Sequence, residues 1–451
     1  MSDFDFVLIG NVVTTERVIE NGYVAVAGGR IAAVGEGTAP AAAETQDVRG
    51  AWIFPGAIDG QVHTGSQANQ EGFRPGSRAA AAGGVTTMVD MPYDEVALVA
   101  DTKALDDKIE DVQTNSHVDV GLFGTIRPDG GVEEIPKLIE AGVCAFKFST
   151  FGTDPVRFPR IPPPLMAEAF AAIAPSGLVA GVHNEHHESV MHGVAEMKRQ
   201  GRTDAEAHNL SRPALSEALA IAEIYEIGAA TGCRAHVVHC SIGRGFDLCE
   251  SYRRQGFDTS IETCIHYLVL TEDDVKRMGG RAKVNPPLRP AAEREALWRH
   301  LAVGNIDFVS TDHVAWSLMR KNDPDIFKCS SGGPGMEVML LLLLKGCLDR
   351  GLSPTWVSRL LAGNPARHFR LAPRKGALTV GADADIVVVE PGEFAYDPGT
   401  SQTVVQWSPY EGMTLPGRIA ATYVRGQMAW DGAAVVVEPD FGHFVKPFGR
   451  T

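Results

Sequence analysis

Residues 54–63 read Phe-Pro-Gly-Ala-Ile-Asp-Gly-Gln-Val-His, an apolar run that ends in side chains able to bind a metal ion. The run predicts a buried β-strand with Gln61 and His63 at its carboxyl end. Strands of this kind are typical of α/β barrels, whose active sites lie where the strands end.

Seven further apolar runs follow, at 86–91, 118–124, 143–148, 178–182, 234–238, 258–263 and 306–310. Helical stretches separate most of them, so the strands are expected to be parallel and covered on both faces. Eight such units predict a (β/α)8 TIM barrel. Short alternating strands with Gly turns stand at both chain ends and predict a small β-sandwich. The expected division is 1–54 and 371–451 for the sandwich and 55–370 for the barrel.

The composition is that of a globular enzyme, with 44% hydrophobic residues among 451. The net charge of −15 argues against nucleic acid or an anionic membrane as a partner. Seven cysteines without CxxC spacing and an acidic first segment, Met-Ser-Asp-Phe-Asp, predict reduced thiols, no signal peptide and a cytoplasmic location. The longest purely apolar run, 339–344, is too short to cross a bilayer and predicts a buried helix.

Three later strands end at His183, His239 and Asp312, and the strand at 143–148 carries Lys147. With His63 they make five metal-compatible groups on five strands of one predicted rim. Imidazole and carboxylate are ligands of borderline divalent ions, and zinc is the default. A single histidine in such a place is more often structural, so the metal site is predicted from the recurrence of the pattern.

The chain resembles the amidohydrolase superfamily in its dihydropyrimidinase, hydantoinase and allantoinase branch. The matching sequence motifs occur in the family's order along nearly the whole chain: PGAIDGQVH, RAAAAGGVTTMVDMP, AFKF, VHNE, ETCIHYL, KVNPPLR, STDH, GGPGMEV, NPARHF and KGALTVGADADIVVVE. The resemblance implies hydrolysis of a ring C–N bond in a cyclic amide of the hydantoin, dihydropyrimidine, imide or allantoin type. It also implies a homo-oligomer, a tetramer or a dimer.

The resemblance further implies two zinc ions bridged by a carboxylated Lys147. His183 and His239 would hold one ion with this lysine, and His63 and Asp312 would hold the other. Asp312 would also act as general acid and base, passing a proton from water to the leaving nitrogen.

One departure from the family falls on a metal ligand, because relatives carry His-X-His where this chain has Gln61-Val62-His63. Three outcomes are open. The Gln61 oxygen ligates and gives a weakened second site, or one ion is held by Lys147, His183 and His239. Otherwise, hydrolysis has been lost and the barrel is a scaffold or assembly partner of a related hydrolase.

A second departure is Gly152, which stands where dihydropyrimidinases have a Tyr that stabilises the oxyanion. Ser149, Thr150 and the charge of a second metal ion are candidates to replace that donor. Arg157 and Arg160 in the proline-rich loop that follows either bind a carboxylate or carbonyl of the substrate or form surface salt bridges.

The family's substrate-binding segment maps onto Asn285 in Lys-Val-Asn-Pro-Pro-Leu-Arg. His313 either contacts the substrate or orients Asp312. Aromatic residues expected either near the mouth of the barrel or in the core are Phe73, Tyr93, Phe151, Phe158 and Trp316.

Overall fold

The structure is a computed structural model that describes residues 3–66, 71–155 and 157–449. Its strands are β1 Phe6–Val13, β2 Val18–Ala27, β3 Arg30–Gly35, β4 Glu44–Pro55, β5 Ala57–Val62, β6 Val85–Asp90, β7 Asp119–Gly124, β8 Ala145–Ser149, β9 Val179–His183, β10 Arg234–Val237, β11 Thr259–Ile261, β12 Thr263–Cys264, β13 Val309–Ser310, β14 Ile386–Ala395, β15 Thr414–Val424 and β16 Gln427–Trp430. Its α-helices are α1 Phe73–Ala82, α2 Thr102–Asn115, α3 Ile135–Ala141, α4 Pro163–Ile173, α5 His187–Arg199, α6 Ala205–Ser211, α7 Ala214–Thr231, α8 Gly243–Arg254, α9 Ile265–Val269, α10 Glu272–Met278, α11 Ala291–Ala302, α12 Met339–Leu348, α13 Thr355–Ser358 and α14 Asn364–His368.

The central strands form the predicted barrel. Strands β5 to β11 pair in sequence order as one parallel sheet, and β12 pairs in parallel with β13. The last strand returns to the first, because Val62 bridges His313 in parallel and the His63 amide donates to the His313 carbonyl at 2.9 Å. Glu262 interrupts one strand between β11 and β12. The (β/α)8 prediction is therefore confirmed.

The final barrel strand is shorter than its apolar run suggests, with two residues instead of five. Side-chain carboxylates replace part of the main-chain ladder here. Asp307 accepts the Ile261 amide at 2.7 Å, and Asp59 accepts the Thr311 amide at 3.0 Å.

Both chain ends build a second, seven-stranded sheet in the order β16-β15-β14-β4-β1-β2-β3. The sheet curves back on itself, because the main chain of Gly29 and Ile31, at the start of β3, hydrogen bonds to residues 381–384, just before β14. The sheet encloses its own apolar cluster, which includes Leu8, Ile53 and Tyr423. This confirms the predicted sandwich.

Only Gly56 separates β4 of the sandwich from β5 of the barrel. A Cβ atom at Gly56 would lie 2.2 Å from Thr86 Oγ1, so no larger residue fits where the chain passes from one domain to the other.

The C-terminal tail packs on the barrel of its own chain. The Val120 amide of β7 donates to the His443 carbonyl, and Val445 donates back to Val120, both at 2.9 Å. The buried Lys375 ammonium joins Asp119 at the start of β7 (2.5 Å) to Asp385 (2.9 Å). These ties hold the end of the barrel opposite to the strand ends that carry the predicted site.

The run 339–344 is buried within α12, as predicted. Across the described ranges, no helix is long and apolar enough to cross a membrane. All seven cysteines are buried and unpaired by disulfides.

Candidate metal centre

The structure brings the predicted metal-site residues to one rim of the barrel. Gln61 and His183 lie near or at the ends of their strands, Lys147 lies within β8, and His63, His239 and Asp312 follow within two residues of a strand end. Parallel strands place these positions at the same end of the barrel.

Asp312 is the centre of the first group. Its Oδ1 lies 2.8 Å from Gln61 Nε2 and 3.2 Å from His63 Nε2. His63 Nδ1 in turn lies 2.9 Å from Ser66 Oγ, which fixes the orientation of the ring. Burial by itself raises the pKa of Asp312, but its hydrogen bond with His63 and the nearby imidazoles hold that pKa well below the usual range. Asp312 is therefore a carboxylate.

His183 and His239 form the second group. Their facing nitrogens, His183 Nδ1 and His239 Nε2, are 2.9 Å apart, and the rings are nearly perpendicular. Burial lowers the pKa of His239 well below its usual value, and the charges of His183 and Lys147 lower it further. His239 is thus a neutral imidazole, the form that binds metals.

Lys147 is 3% exposed, and its charge interacts with Asp312 of the first group and His239 of the second. Burial lowers the pKa of its ammonium to about 8, although the charges of Asp312 and Glu262 oppose the shift. A substantial fraction of the amine is therefore neutral near pH 8, as carbamate formation requires. Its carbonyl accepts the Thr125 hydroxyl at 2.7 Å, which anchors the main chain at this point.

Two of the predicted ligands sit on strained backbone. His239 has φ 42° and Asp312 has φ 52°, the left-handed region that residues other than Gly seldom adopt. Each such residue costs on the order of 1–3 kcal/mol, and strain of this kind clusters at active sites. The barrel holds both side chains toward the rim at that cost.

Behind His183 lies a buried ion pair, Glu185 and Arg212, which was not among the predicted site residues. Glu185 Oε2 lies 2.9 Å from His183 Nε2 and 2.5 Å from Arg212 Nη1. With His183 Nε2–H donating to Glu185, His183 Nδ1 is left with its lone pair toward His239. Glu185 stands in the motif Val-His-Asn-Glu and Arg212 in the separate segment Ser211-Arg212-Pro213, and only the fold joins them.

A further buried carboxylate, Asp59, ties the first barrel strand to the last. It accepts the main-chain amides of Gln61 (3.3 Å) and Thr311 (3.0 Å), and the Thr311 hydroxyl as well. Burial raises its pKa to about 7. Asp59 lies in the motif PGAIDGQVH. The sequence of that motif alone does not show that Asp59 binds main-chain amides and not a metal ion.

The two hydroxyls predicted near the substrate both bond to main chain. Ser149 donates to the Phe151 carbonyl at 2.5 Å. Thr150 Oγ1 lies 2.7 Å from the His183 carbonyl and 2.8 Å from that of Glu185. In this arrangement they brace the loop and the strand that carry His183.

The two arginines of the proline-rich loop differ. Arg157 donates to the Ser66 carbonyl and lies over the Phe158 ring, with 5.5 Å from its guanidinium carbon to the ring centroid. Arg160 pairs with the exposed Glu188 at 2.7 Å. Arg157 thus contacts Ser66, in the described part of the segment that follows His63, and Arg160 contacts α5.

His313 forms hydrogen bonds through both ring nitrogens. Nε2 lies 3.0 Å from Glu71 Oε2, and Nδ1 accepts the Gly335 amide at 3.2 Å. Its carbonyl accepts the His63 amide, and its two predicted roles, contact with the substrate and orientation of Asp312, stay predictions.

Two of the predicted aromatic residues lie against the metal-site histidines. The Phe158 ring is 5.9 Å from that of His63 and 4.8 Å from that of Tyr93, and Phe151 is 6.4 Å from His183. Phe73 is a core residue instead.

Asn285 and Gly152 are the remaining predicted positions. Asn285 Oδ1 is buried and has no hydrogen-bond partner among the described residues. The Gly152 amide points to His187 Nδ1 at 3.5 Å.

The donor set fits a divalent cation if Lys147 takes part. Within the described ranges, no three or more His, Cys, Asp or Glu residues are grouped to hold a metal ion. The pairs His63–Asp312 and His183–His239 supply two donors each. Lys147 interacts with both pairs, since its charge lowers the pKa of His239 and the charge of Asp312 raises the pKa of Lys147. A carbamate on Lys147 would supply the oxygen ligands that complete either pair.

Comparisons with known proteins agree with this geometry. Residues 52–429 match the amidohydrolase family. The chain is 36% identical to an allantoinase of Rubrobacter xylanophilus (99% of this chain, 98% of the relative) and 30% identical to an L-hydantoinase of Paenarthrobacter aurescens (98% of each). The solved L-hydantoinase (dihydropyrimidinase) from Arthrobacter aurescens has a TM-score of 0.94 at 30% identity, covering 98% of this chain and 100% of that one. The predicted resemblance is confirmed, and the chain belongs to the amidohydrolase family, in the branch of the allantoinases and hydantoinases.

Proposed function

We propose that this chain hydrolyses a C–N bond in the ring of a cyclic amide, and that a hydantoin ring with a ureido substituent, as in allantoin, is the first substrate to test. The observation that carries the proposal is the rim itself. A carboxylate held by His63, a pair of facing imidazoles and a buried lysine of lowered pKa meet where the barrel strands end. The allantoinase relatives support the choice of ring.

We propose that Lys147, as its carbamate, holds a zinc ion together with His183 and His239. Such an ion activates water and polarises the ring carbonyl when bound. The neutral Lys147 amine forms the carbamate by bonding to the carbon of CO2 and releasing one proton.

Asp312 is proposed as the general acid and base. Its Oδ1 already contacts Gln61 and His63, while Oδ2 has no hydrogen-bond partner in the part of the chain that the structure describes. Oδ2 is therefore the atom proposed to take the proton from the attacking water and to pass it to the leaving ring nitrogen.

The substrate ring is proposed to lie between Phe158 and Phe151. Asn285 Oδ1, which is buried without a partner, would accept a ring N–H. Arg157 holds the loop at His63, whereas Ser149 and Thr150 act on main chain and Arg160 stays at the surface.

We further propose a domain division, a cellular location and an oligomeric state for the chain. The chain divides into a sandwich of residues 1–54 and 371–451 and a barrel of residues 55–370. It acts in the cytoplasm as a homo-oligomer, a dimer or tetramer, on a small cyclic amide. Neither nucleic acid nor membrane is a partner.

Ring opening tests the proposal directly. Protein loaded with zinc and bicarbonate is assayed on allantoin, hydantoin, dihydrouracil and succinimide, with Asp312→Asn as the control that keeps the side-chain shape. We expect turnover of at least one ring and a loss of about 10²–10⁴-fold in the variant. Wild-type protein that opens none of the four rings would support a non-catalytic scaffold instead.

A further inference from the structure

The Gln61 side chain is buried at the rim, with 1% exposure. Its amide nitrogen donates to Asp312 Oδ1 at 2.8 Å. Its amide oxygen is also buried, and no described residue hydrogen bonds to it.

The chemistry of the partner decides which end of the amide faces Asp312. A carboxylate only accepts hydrogen bonds, so the NH2 group must point toward it and the oxygen away. An amide nitrogen has no available lone pair for a cation. A Gln61 that ligated an ion shared with Asp312 would need the opposite orientation, with its oxygen toward the ion.

Ties on both sides hold this contact in place. Asp59 accepts the main-chain amides of Gln61 and Thr311, the residue before Asp312. The His63 amide donates to the His313 carbonyl at 2.9 Å. Both segments that carry the contact are thus fixed where the barrel closes.

We infer that Gln61 is a positioning residue that holds Asp312 through its amide nitrogen, and that the centre therefore takes one divalent cation, on Lys147, His183 and His239, rather than two. The inference rests on the proposed function, because it assigns Asp312 to proton transfer. Gln61 occupies Oδ1 and leaves Oδ2 for the proton.

Metal content is the first test, measured by elemental analysis of full-length protein purified with zinc and bicarbonate and without chelator. One zinc ion per chain is expected in the wild type and also in Gln61→Leu, whereas His183→Leu, the matched control at a proposed ligand, should lose it. Two ions in the wild type, or loss of metal in Gln61→Leu, would overturn the inference.

Gln61→Glu distinguishes a residue that positions Asp312 from a residue that ligates a metal ion. A carboxylate ligates zinc well but donates no hydrogen bond. For a positioning residue, kcat should fall about tenfold or more with KM unchanged and metal content still at one ion, because a hydrogen bond to a charged group is lost. An unchanged kcat would show instead that residue 61 does not act through its hydrogen bond to Asp312, and would overturn the positioning role.

The tests separate the inference from the proposed function. If a variant fails to fold, the wild-type metal content alone decides. One ion without turnover of any cyclic amide would refute the proposed function and leave the metal count intact, whereas turnover with two ions would refute the inference only.

Discussion

The buried pair of Glu185 and Arg212 allows a sharp test of how the site is built. Glu185 is fully buried and accepts from both His183 and Arg212. The change Glu185→Gln keeps the shape of the side chain and removes its charge, so the Arg212 guanidinium, 7% exposed, loses its buried counter-ion.

The expected cost follows from that burial. Breaking a buried ion pair from one side costs about 3–5 kcal/mol, and the lower end applies because the Gln oxygen still accepts one hydrogen bond. The same change weakens the orientation of His183, and loss of such a partner lowers metal affinity about 10–100-fold.

Urea unfolding of metal-free protein measures the first quantity, and zinc titration measures the second. Glu188→Gln is the matched control, since Glu188 also pairs with an arginine, Arg160 at 2.7 Å, but its side chain is 59% exposed. The control should cost less than about 1 kcal/mol and leave zinc affinity unchanged. Equal effects of the two substitutions would refute the argument from burial.

The stabilisation that Glu185 provides should also depend on pH. Burial alone raises the pKa of Glu185, but the charge of Arg212 and the bond from His183 hold it far below the ordinary value of 4.5. A depressed folded-state pKa stabilises the fold above the unfolded pKa, and that stabilisation is lost as the pH falls below it. The difference between wild type and Glu185→Gln should therefore be full at pH 7 and shrink below about pH 4.5. A constant difference across this range would contradict the assignment.

Four other predictions address the rim and the loop beside it. Lys147→Ala should abolish activity and zinc content together, with partial rescue by a small carboxylate. In metal-free wild type, recovery with bicarbonate and zinc should quicken as the pH rises through about 8, where the Lys147 amine becomes neutral, and not only near 10.5. Gln61→His should raise zinc content toward two ions per chain, and unchanged content would show that residue 61 does not line a second site. Arg157→Ala should raise KM because the loop at His63 loosens, whereas Arg160→Ala should leave kcat and KM unchanged; equal effects would place both arginines at the surface.

Sequence periodicity was sufficient for the architecture because buried parallel strands are almost continuously apolar. The seven runs after the first predicted each later barrel strand, although the last one pairs over fewer residues than its run covers. Asp307 in that run accepts the Ile261 amide of β11, and Asp59 accepts the Thr311 amide. No local pattern marks an acidic side chain as a substitute for a ladder partner.

The residue types at strand ends likewise predicted which side chains meet at the rim. His63, His183, His239 and Asp312 each follow an apolar run and Lys147 stands within one, and the barrel topology alone makes them neighbours. Their roles stay predictions, but their convergence follows from local sequence and the geometry of parallel strands.

What the sequence by itself determined is the barrel, the sandwich made from both chain ends, the family and the rim residues, because all of these follow from local composition and order. Only the tertiary structure decided that Gln61 turns its amide nitrogen to Asp312, that Glu185 and Arg212 support His183, and that Arg160 pairs outward. The contacts Gln61–Asp312, Glu185–Arg212 and Arg160–Glu188 join residues that are 251, 27 and 28 positions apart. The direction of a hydrogen bond depends on the partner that the fold supplies.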